Sequence, residues 1–128
     1  MTAAFAFLAL VLTLGQTVCP SPVQAASSSI VISQVYGGGG NSGATFKNDF
    51  IELYNRGGVA VDVSGWSVQY ASSAGAFSAS LKTNLTGIIQ PGHYYLVQEA
   101  AGAGGTVNLP TPDATGSIAM SATGAKVA

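Results

Sequence analysis

The residues of this sequence that could do chemistry are few, and the most conspicuous are glycines. Gly38, Gly40 and Gly43 have the G-x-G-x-x-G spacing, directly after the apolar run Ile30 to Tyr36. In a dinucleotide site such glycines open a helix that faces the pyrophosphate, and an acidic residue about twenty positions on binds the ribose. Asp62 lies at a suitable distance. The residues after Gly43 nevertheless have a strand pattern with no room for a helix, so we expect a mobile polar hairpin loop and no cofactor.

A second kind of site would bind calcium through side-chain oxygens. The candidate ligands are Asn48, Asp49, Glu52 and Asp62. Successive side chains of a strand point to opposite faces, so Asp49 and Glu52 would converge only if a bulge intervened. The sequence therefore predicts no metal site, with calcium near Asp49 left as an alternative.

His93 is the only histidine. A Ser-His-Asp arrangement could be assembled from it and the many serines, but no serine occupies a nucleophile elbow and nothing marks an oxyanion hole. We expect an exposed histidine in a turn, no catalytic residue and no enzymatic activity.

Trp66 could stack on a sugar, with some of the five tyrosines extending the surface. It shares one face with Val68 and Tyr70, however, and it follows a Ser-Gly bend. This arrangement is typical of a core tryptophan in a β-sandwich.

The elements that must position these residues are strands. Short apolar stretches alternate with Gly, Pro, Asn and Ser clusters, and no sustained helical spacing occurs, which is typical of an all-β domain. We expect YYLV, residues 94–97, to be the most buried strand, and a type II turn at residues 90–93. The stretches predicted as strands are 29–36, 49–55, 59–72 as one bent strand or two joined at Ser64 and Gly65, 94–97, 116–121, and a strand that starts at 125.

Residues 1–25 have the pattern of a cleavable export signal. An apolar stretch too short to span a bilayer precedes Gly15, Pro20 and Pro22 and a small-residue site that ends at Ala25. Cys19, the only cysteine, lies in this segment, so the mature chain would have no disulfide and no cysteine-based zinc site. We expect a secreted protein with one domain, residues 26–128, and no membrane span after cleavage.

Charge limits the partners of this domain. The chain has four basic and five acidic residues and a formal net charge of −1. Without a basic stripe there is no visible electrostatic source for binding to phosphate, so nucleic acid is not an expected partner.

The combination of FIELYN, VDVSGW and QPGHYYLV, preceded by ISQVYGGGGNSG, resembles the lamin tail domain, specifically its bacterial secreted type. The resemblance covers nearly all of the mature chain and implies an immunoglobulin-like β-sandwich. It also implies a non-catalytic accessory module of exported or surface proteins, often found beside nucleases or related hydrolases, whereas in animal lamins the domain contacts protein and DNA. The positions that it implies for the core are Ile51, Leu53, Trp66 and Leu96, and for turns Gly65, Pro91 and Gly92.

Two functional hypotheses follow. The first is a secreted module for adhesion or tethering, which binds a protein or cell-surface component through residues 37–47 and 100–115 or through a sheet edge. The alternative is the N-terminal fragment of a secreted nuclease or an endonuclease/exonuclease/phosphatase-type hydrolase that lacks its catalytic domain. Because the sequence stops as a strand starts, we expect an incomplete sandwich whose open edge pairs with itself or with a partner.

Overall fold

The computed structural model describes residues 29–128, and the expected leader lies outside them. Within this range the chain contains nine strands and no helix. The described residues therefore include no helix that is long and apolar enough to cross a membrane. The strands are β1 (Ile30–Tyr36), β2 (Asn48–Asn55), β3 (Val61–Asp62), β4 (Ser67–Ser72), β5 (Lys82–Asn84), β6 (Ile88–Ile89), β7 (Tyr94–Ala101), β8 (Ala114–Thr115) and β9 (Ala125–Val127).

These strands form an immunoglobulin-like β-sandwich, as predicted. One sheet has the order β1-β2-β7-β8, and the facing sheet has the order β5-β4-β9. Strands β3 and β6 form a separate two-stranded sheet. All pairs are antiparallel except β7 with β8. The core residues lie between the layers and are Ile51, Leu53, Val63, Val68, Tyr70, Leu85, Ile89, Tyr95, Val97, Ile118 and Met120.

The alternation along β2 explains how the core is filled. Ile51 and Leu53 point inward and are almost fully buried, whereas Glu52 and Tyr54 lie on the outer face and are half-buried. Burying one such aliphatic side chain stabilises a fold by about 1.5–3 kcal/mol. The expected strand at 49–55 is therefore confirmed, and its odd-numbered residues build the core.

The prediction for β7 is partly wrong. Its side chains alternate between buried and half-buried, and Tyr94 is 61% exposed, so β2 is the more buried strand. Leu96, expected in the core, lies on the outer face opposite Glu52. The reason is that the second sheet covers only one face of β7, while its neighbour β8 has just two residues.

The stretch 59–72 forms two strands, β3 and β4, separated at Gly65, whose φ is +83°. The turn at 90–93 is also confirmed: the His93 N–H donates to the Gln90 carbonyl at 3.1 Å, and Gly92 has a φ of +73°. A left-handed φ at the third position is what a type II turn requires.

At residues 116–121 the expected strand is absent from the ladder, although Ile118 and Met120 are buried. Their N–H groups donate to the carboxylates of Glu99 and Asp49 rather than to a neighbouring strand. The strand expected to start at residue 125 is present as β9, which pairs with β4.

Asn55 holds the end of β2 and is fully buried. Its Nδ2 donates to the carbonyls of Val59 and Ile89 at 2.8 and 2.9 Å, and its Oδ1 accepts from the Gly57 N–H at 2.9 Å. One side chain therefore fixes the turn after β2 against β6, at the end of the sheet opposite the glycine loop.

Candidate interaction surface

The two loops predicted as separate contact segments lie against each other. The Lys47 N–H donates to the Val107 carbonyl, and the Lys47 carbonyl accepts from the Gly102 N–H, both at 3.0 Å. The Gly104 N–H donates to the Gly40 carbonyl at 2.6 Å. Phe46 and Val107 also form an isolated parallel bridge. We call residues 37–47 and 102–108 together the two-loop platform.

Glycine is required where the loops meet. Gly40 has a φ of +72°, and a Cβ there would overlap the backbone of Gly102. A Cβ on Gly39 would likewise overlap the backbone of Asn48. Gly43 has a similar φ of +81° but faces open space. The expected hairpin loop is present, since it connects the antiparallel strands β1 and β2. Residues 38–40 are, however, buried and packed between backbones.

The backbone donors of this loop are used within the protein. The N–H groups of Gly38 and Gly40 donate to the carbonyls of Met120 and Phe46, and the Gly39 N–H donates to Asp49 Oδ1 at 2.5 Å. A phosphate cradle needs such donors to be available. No helix starts on the loop, which continues through turns into β2. The Gly39 N–H is thus directed at a carboxylate of the protein itself.

Asp49 joins three parts of the chain. It is 3% exposed, and while Oδ1 accepts from Gly39, Oδ2 accepts from the Met120 N–H at 2.6 Å. Hydrogen bonds to a carboxylate are roughly twice as strong as bonds between neutral groups. Asp49 on β2 therefore holds both the glycine loop and the segment before β9.

Glu99 makes a parallel connection from β7. It is 1% exposed; Oε1 accepts from the Thr83 hydroxyl at 2.6 Å and Oε2 from the Ile118 N–H at 2.9 Å. Burial raises the pKa of Glu99, the charge of Asp49 adds slightly to this, and the two hydrogen bonds oppose it. The two carboxylates thus differ in their partners, since Asp49 faces only N–H groups and Glu99 faces one hydroxyl.

The four residues considered for calcium are not brought together. Asp49 lies in the core, Asn48 Nδ2 donates to the Glu99 carbonyl, and Glu52 accepts from Ser33 on the outer face. Asp62 lies on a different strand, where a hydrogen bond from Ser64 lowers its pKa. Among residues 29–128 no three His, Cys, Asp or Glu side chains form a group that could hold a metal ion.

The remaining two candidates lie in different connections of the fold, His93 directly before β7 and Trp66 directly before β4. His93 is exposed in its turn beside Asn55, and Trp66 is partly buried and packs against the core, as predicted. No ligand-sized pocket is formed by the described part of the chain.

Sequence reasoning missed Glu99, although a signal for it existed. Tyr95, Val97 and Glu99 alternate with outward residues, so a period of two places the carboxylate inside. It also missed the cluster of Tyr36, Phe46 and Phe50, in which ring centroids lie 5.4–5.8 Å apart. The cluster joins the platform to the outer face of β1 and β2.

Comparison with models of known protein families assigns the chain to a family. The family model described as Lamin Tail Domain matches residues 23–127. The chain belongs to the lamin tail domain family. No curated protein and no solved structure matches it. For this lamin tail domain, family and fold together indicate a β-sandwich that acts as an interaction module, most generally with protein.

The different partners of the two carboxylates predict different responses to neutral substitution. Asp49→Asn leaves a buried N–H group facing an amide donor, so we expect the free energy of unfolding to fall by about 2–3 kcal/mol. Glu99→Gln can accept from Ile118 and donate to the Thr83 hydroxyl, so we expect a change within about 1 kcal/mol. Urea denaturation at pH 7 measures both. If the two variants lost equal free energy of unfolding, or if Glu99→Gln lost more, the hydrogen-bond partners assigned to the two carboxylates would be contradicted.

The raised pKa of Glu99 predicts a pH dependence. The pKa of Glu99 in the folded state lies above the ordinary value of 4.5. Between these two pKa values the folded state therefore binds more protons than the unfolded state. The contribution of Glu99 to stability is therefore complete below about pH 4.5 and is lost as the pH rises through the folded-state pKa. Urea denaturation from pH 4 to pH 8 should show this loss relative to Glu99→Gln. If the free energy of unfolding varied with pH in the same way for the wild type and for Glu99→Gln, this prediction would be refuted.

Proposed function

We propose that this lamin tail domain is an exported, non-catalytic module that tethers or adheres to a protein or cell-surface component through the two-loop platform. The observation that carries this proposal is the backbone pairing between the loops, centred on Lys47, Gly102 and Val107. Loops held in one conformation lose little conformational entropy when they bind, which favours affinity.

The side chains on the platform suit contact with a neutral polar surface. Those exposed to solvent include Asn41, Ser42, Thr45, Val107 and Asn108. None of these five is charged, and the one charged residue of the platform, Lys47, is half-buried. This composition favours hydrogen bonding and modest apolar contact over attraction to phosphate, which supports a protein or surface component over nucleic acid.

The absence of catalysis is supported by where the titratable groups lie. Asp49 and Glu99 are saturated with hydrogen bonds in the core, and His93 lies at the opposite end of β2 from the platform. A catalytic arrangement needs a nucleophile, a base and a substrate position within hydrogen-bond reach of one another. These residues do not offer that convergence.

Export is supported by the pattern of the first 25 residues, an apolar stretch followed by helix breakers and a small-residue cleavage site. The processed chain would begin at Ala26.

To test this proposal, the full chain is expressed in the organism of origin, and the protein is quantified in the medium, on the cell surface and inside the cells. We expect a product that begins at Ala26 on the cell surface. The double variant Ser42→Glu, Val107→Glu should move to the medium with about a tenfold loss of the surface fraction, because two charges would be desolvated on binding. The control, Val59→Glu with Gln90→Glu, adds the same charge at the opposite end of β2 and should stay on the surface.

An unprocessed chain retained inside the cells would contradict export. A processed chain found only in the medium, or equal surface fractions for both double variants, would contradict tethering through the platform.

A further inference from the structure

Two lysines lie on the outer face of the sheet β5-β4-β9. Lys82 on β5 is paired with Gln69 of β4, and Lys126 on β9 is paired with Ala71. Residues directly opposite each other in antiparallel strands point to the same face. Gln69 and Ala71 flank Tyr70, which points into the core, so they point outward. Both lysines therefore lie on the outer face, and both are exposed.

No acidic side chain belongs to this sheet. The sequence has no Asp or Glu from residue 63 to residue 98 or from residue 114 to residue 128, and these ranges contain β4, β5 and β9. The five acidic residues are Asp49 and Glu99 in the core, Glu52 on the outer face of the other sheet, Asp62 on β3 and Asp113 beside β7. The net charge of −1 for the whole chain does not describe this face, whose charged side chains are all basic.

The connection between β4 and β5, residues 73–81, places apolar side chains beside the lysines. Lys126 Nζ donates to the Gly75 carbonyl at 2.5 Å. Phe77 is 44% exposed, and Leu81, directly before the other lysine, is 36% exposed. The other residues of the connection are Ser, Ala and Gly. Single exposed apolar residues are ordinary, but here an aromatic ring and a leucine lie in an uncharged loop that adjoins two cations.

Several polar groups of this loop are hydrogen-bonded within the protein. The N–H groups of Gly75 and Leu81 donate to the carbonyls of Ser72 and Ser78. The hydroxyls of Ser78 and Ser80 bond to each other at 2.9 Å. A less polar environment penalises mainly those polar groups that lack partners. Because these partners are internal and the loop carries no charge, its transfer to such an environment costs less than for an ordinary loop.

We propose that residues 73–81, Lys82 and Lys126, together called the lysine face, dock on the surface of an anionic phospholipid bilayer. The Phe77 ring enters the boundary between headgroups and acyl chains, while the two ammonium groups contact lipid phosphates. Charge complementarity selects this partner, since cations beside exposed apolar side chains are what interfacial membrane binding uses. Double-stranded nucleic acid would use the two charges but leave Phe77 without a role.

The lysine face contains no residue of the two-loop platform, so the proposal does not depend on adhesion through that platform. Its affinity should be weak. A lysine near an anionic membrane surface strengthens binding by about fivefold. One partly inserted ring contributes less than a myristoyl chain, whose association constant is about 10⁴ M⁻¹, so we expect half-saturation between about 0.1 and 5 mM lipid.

A fluorophore on the loop tests the proposal. In the full chain with Cys19→Ala, an environment-sensitive label is attached to Ala79→Cys, and vesicles of equal parts phosphatidylglycerol and phosphatidylcholine are titrated in. We expect a blue shift at about 50 mM salt that is lost at about 500 mM salt, and none with pure phosphatidylcholine. The same label on Val59→Cys, in the turn after β2, is the control, and its spectrum should not depend on vesicle charge. This local readout separates the loop from a retained apolar leader, which binds bilayers of either kind.

Substitutions in the labelled chain separate the contributions of charge and apolar contact. Lys82→Gln and Lys126→Gln should each raise the lipid concentration at half-saturation about fivefold. Lys82→Arg should leave it unchanged, because the charge is retained. Phe77→Ser should raise it about tenfold, because the ring no longer leaves water. Val59→Ser removes an apolar side chain that is 68% exposed and should have no effect.

Equal unfolding midpoints in urea establish that the variants remain folded, as expected for exposed positions. A label at residue 79 that does not respond to anionic vesicles, or that responds equally to pure phosphatidylcholine, would overturn the proposal. Unchanged half-saturation in Phe77→Ser, or in both Gln variants, would also overturn it. If double-stranded DNA shifted the label as strongly as the vesicles do, the face would recognise phosphate rather than lipid, and the assignment of a bilayer would be wrong.

Discussion

Two backbone N–H groups from distant parts of the chain donate to the one carboxylate of Asp49. Met120 is 71 residues away in sequence and Gly39 is 10 residues away, yet both lie within 2.6 Å of the same side chain. A buried charge is costly unless its hydrogen bonds are made, and here both oxygens are bonded. The glycine loop and the segment before β9 are consequently held by a single residue of β2, and the geometry of the platform depends on it.

The arrangement gives the glycine-rich stretch a role within the fold, although its spacing resembles that of a dinucleotide site. Glycines in a dinucleotide site let the backbone approach a pyrophosphate closely. Here the same freedom lets Gly39 and Gly40 approach the backbones of Asn48 and Gly102, while the donor of Gly39 faces an internal anion. The physical requirement is similar, but here the anion belongs to the protein.

The sequence predicted those features that depend on local alternation and turn chemistry. β1 follows from an apolar run of strand length and β2 from a period-two pattern. The turn before His93 follows from Pro91 and Gly92, and the placement of Trp66 follows from its neighbours on one face. The all-β fold and the family also followed, since several such segments occur in a characteristic order.

The features that sequence reasoning missed depend on contacts between distant residues. No local pattern shows that residues 116–121 bond to carboxylates instead of a strand, or that two glycine-containing loops pair with each other. Leu96 was misplaced for a related reason: an apolar residue can lie on either face of a strand, and the exposed face is known only when the second sheet is in place. The bulge at Ser33, which sets the faces of β1, has no distinctive sequence either.

Native-state hydrogen exchange at the amides of Gly39 and Met120 tests the role of Asp49 most directly. If this carboxylate joins the two segments, both amides should exchange slowly and with the same free energy of opening, close to that of global unfolding. Fast exchange at Gly39 while Met120 stays protected would show that the loop opens independently, which would contradict the account.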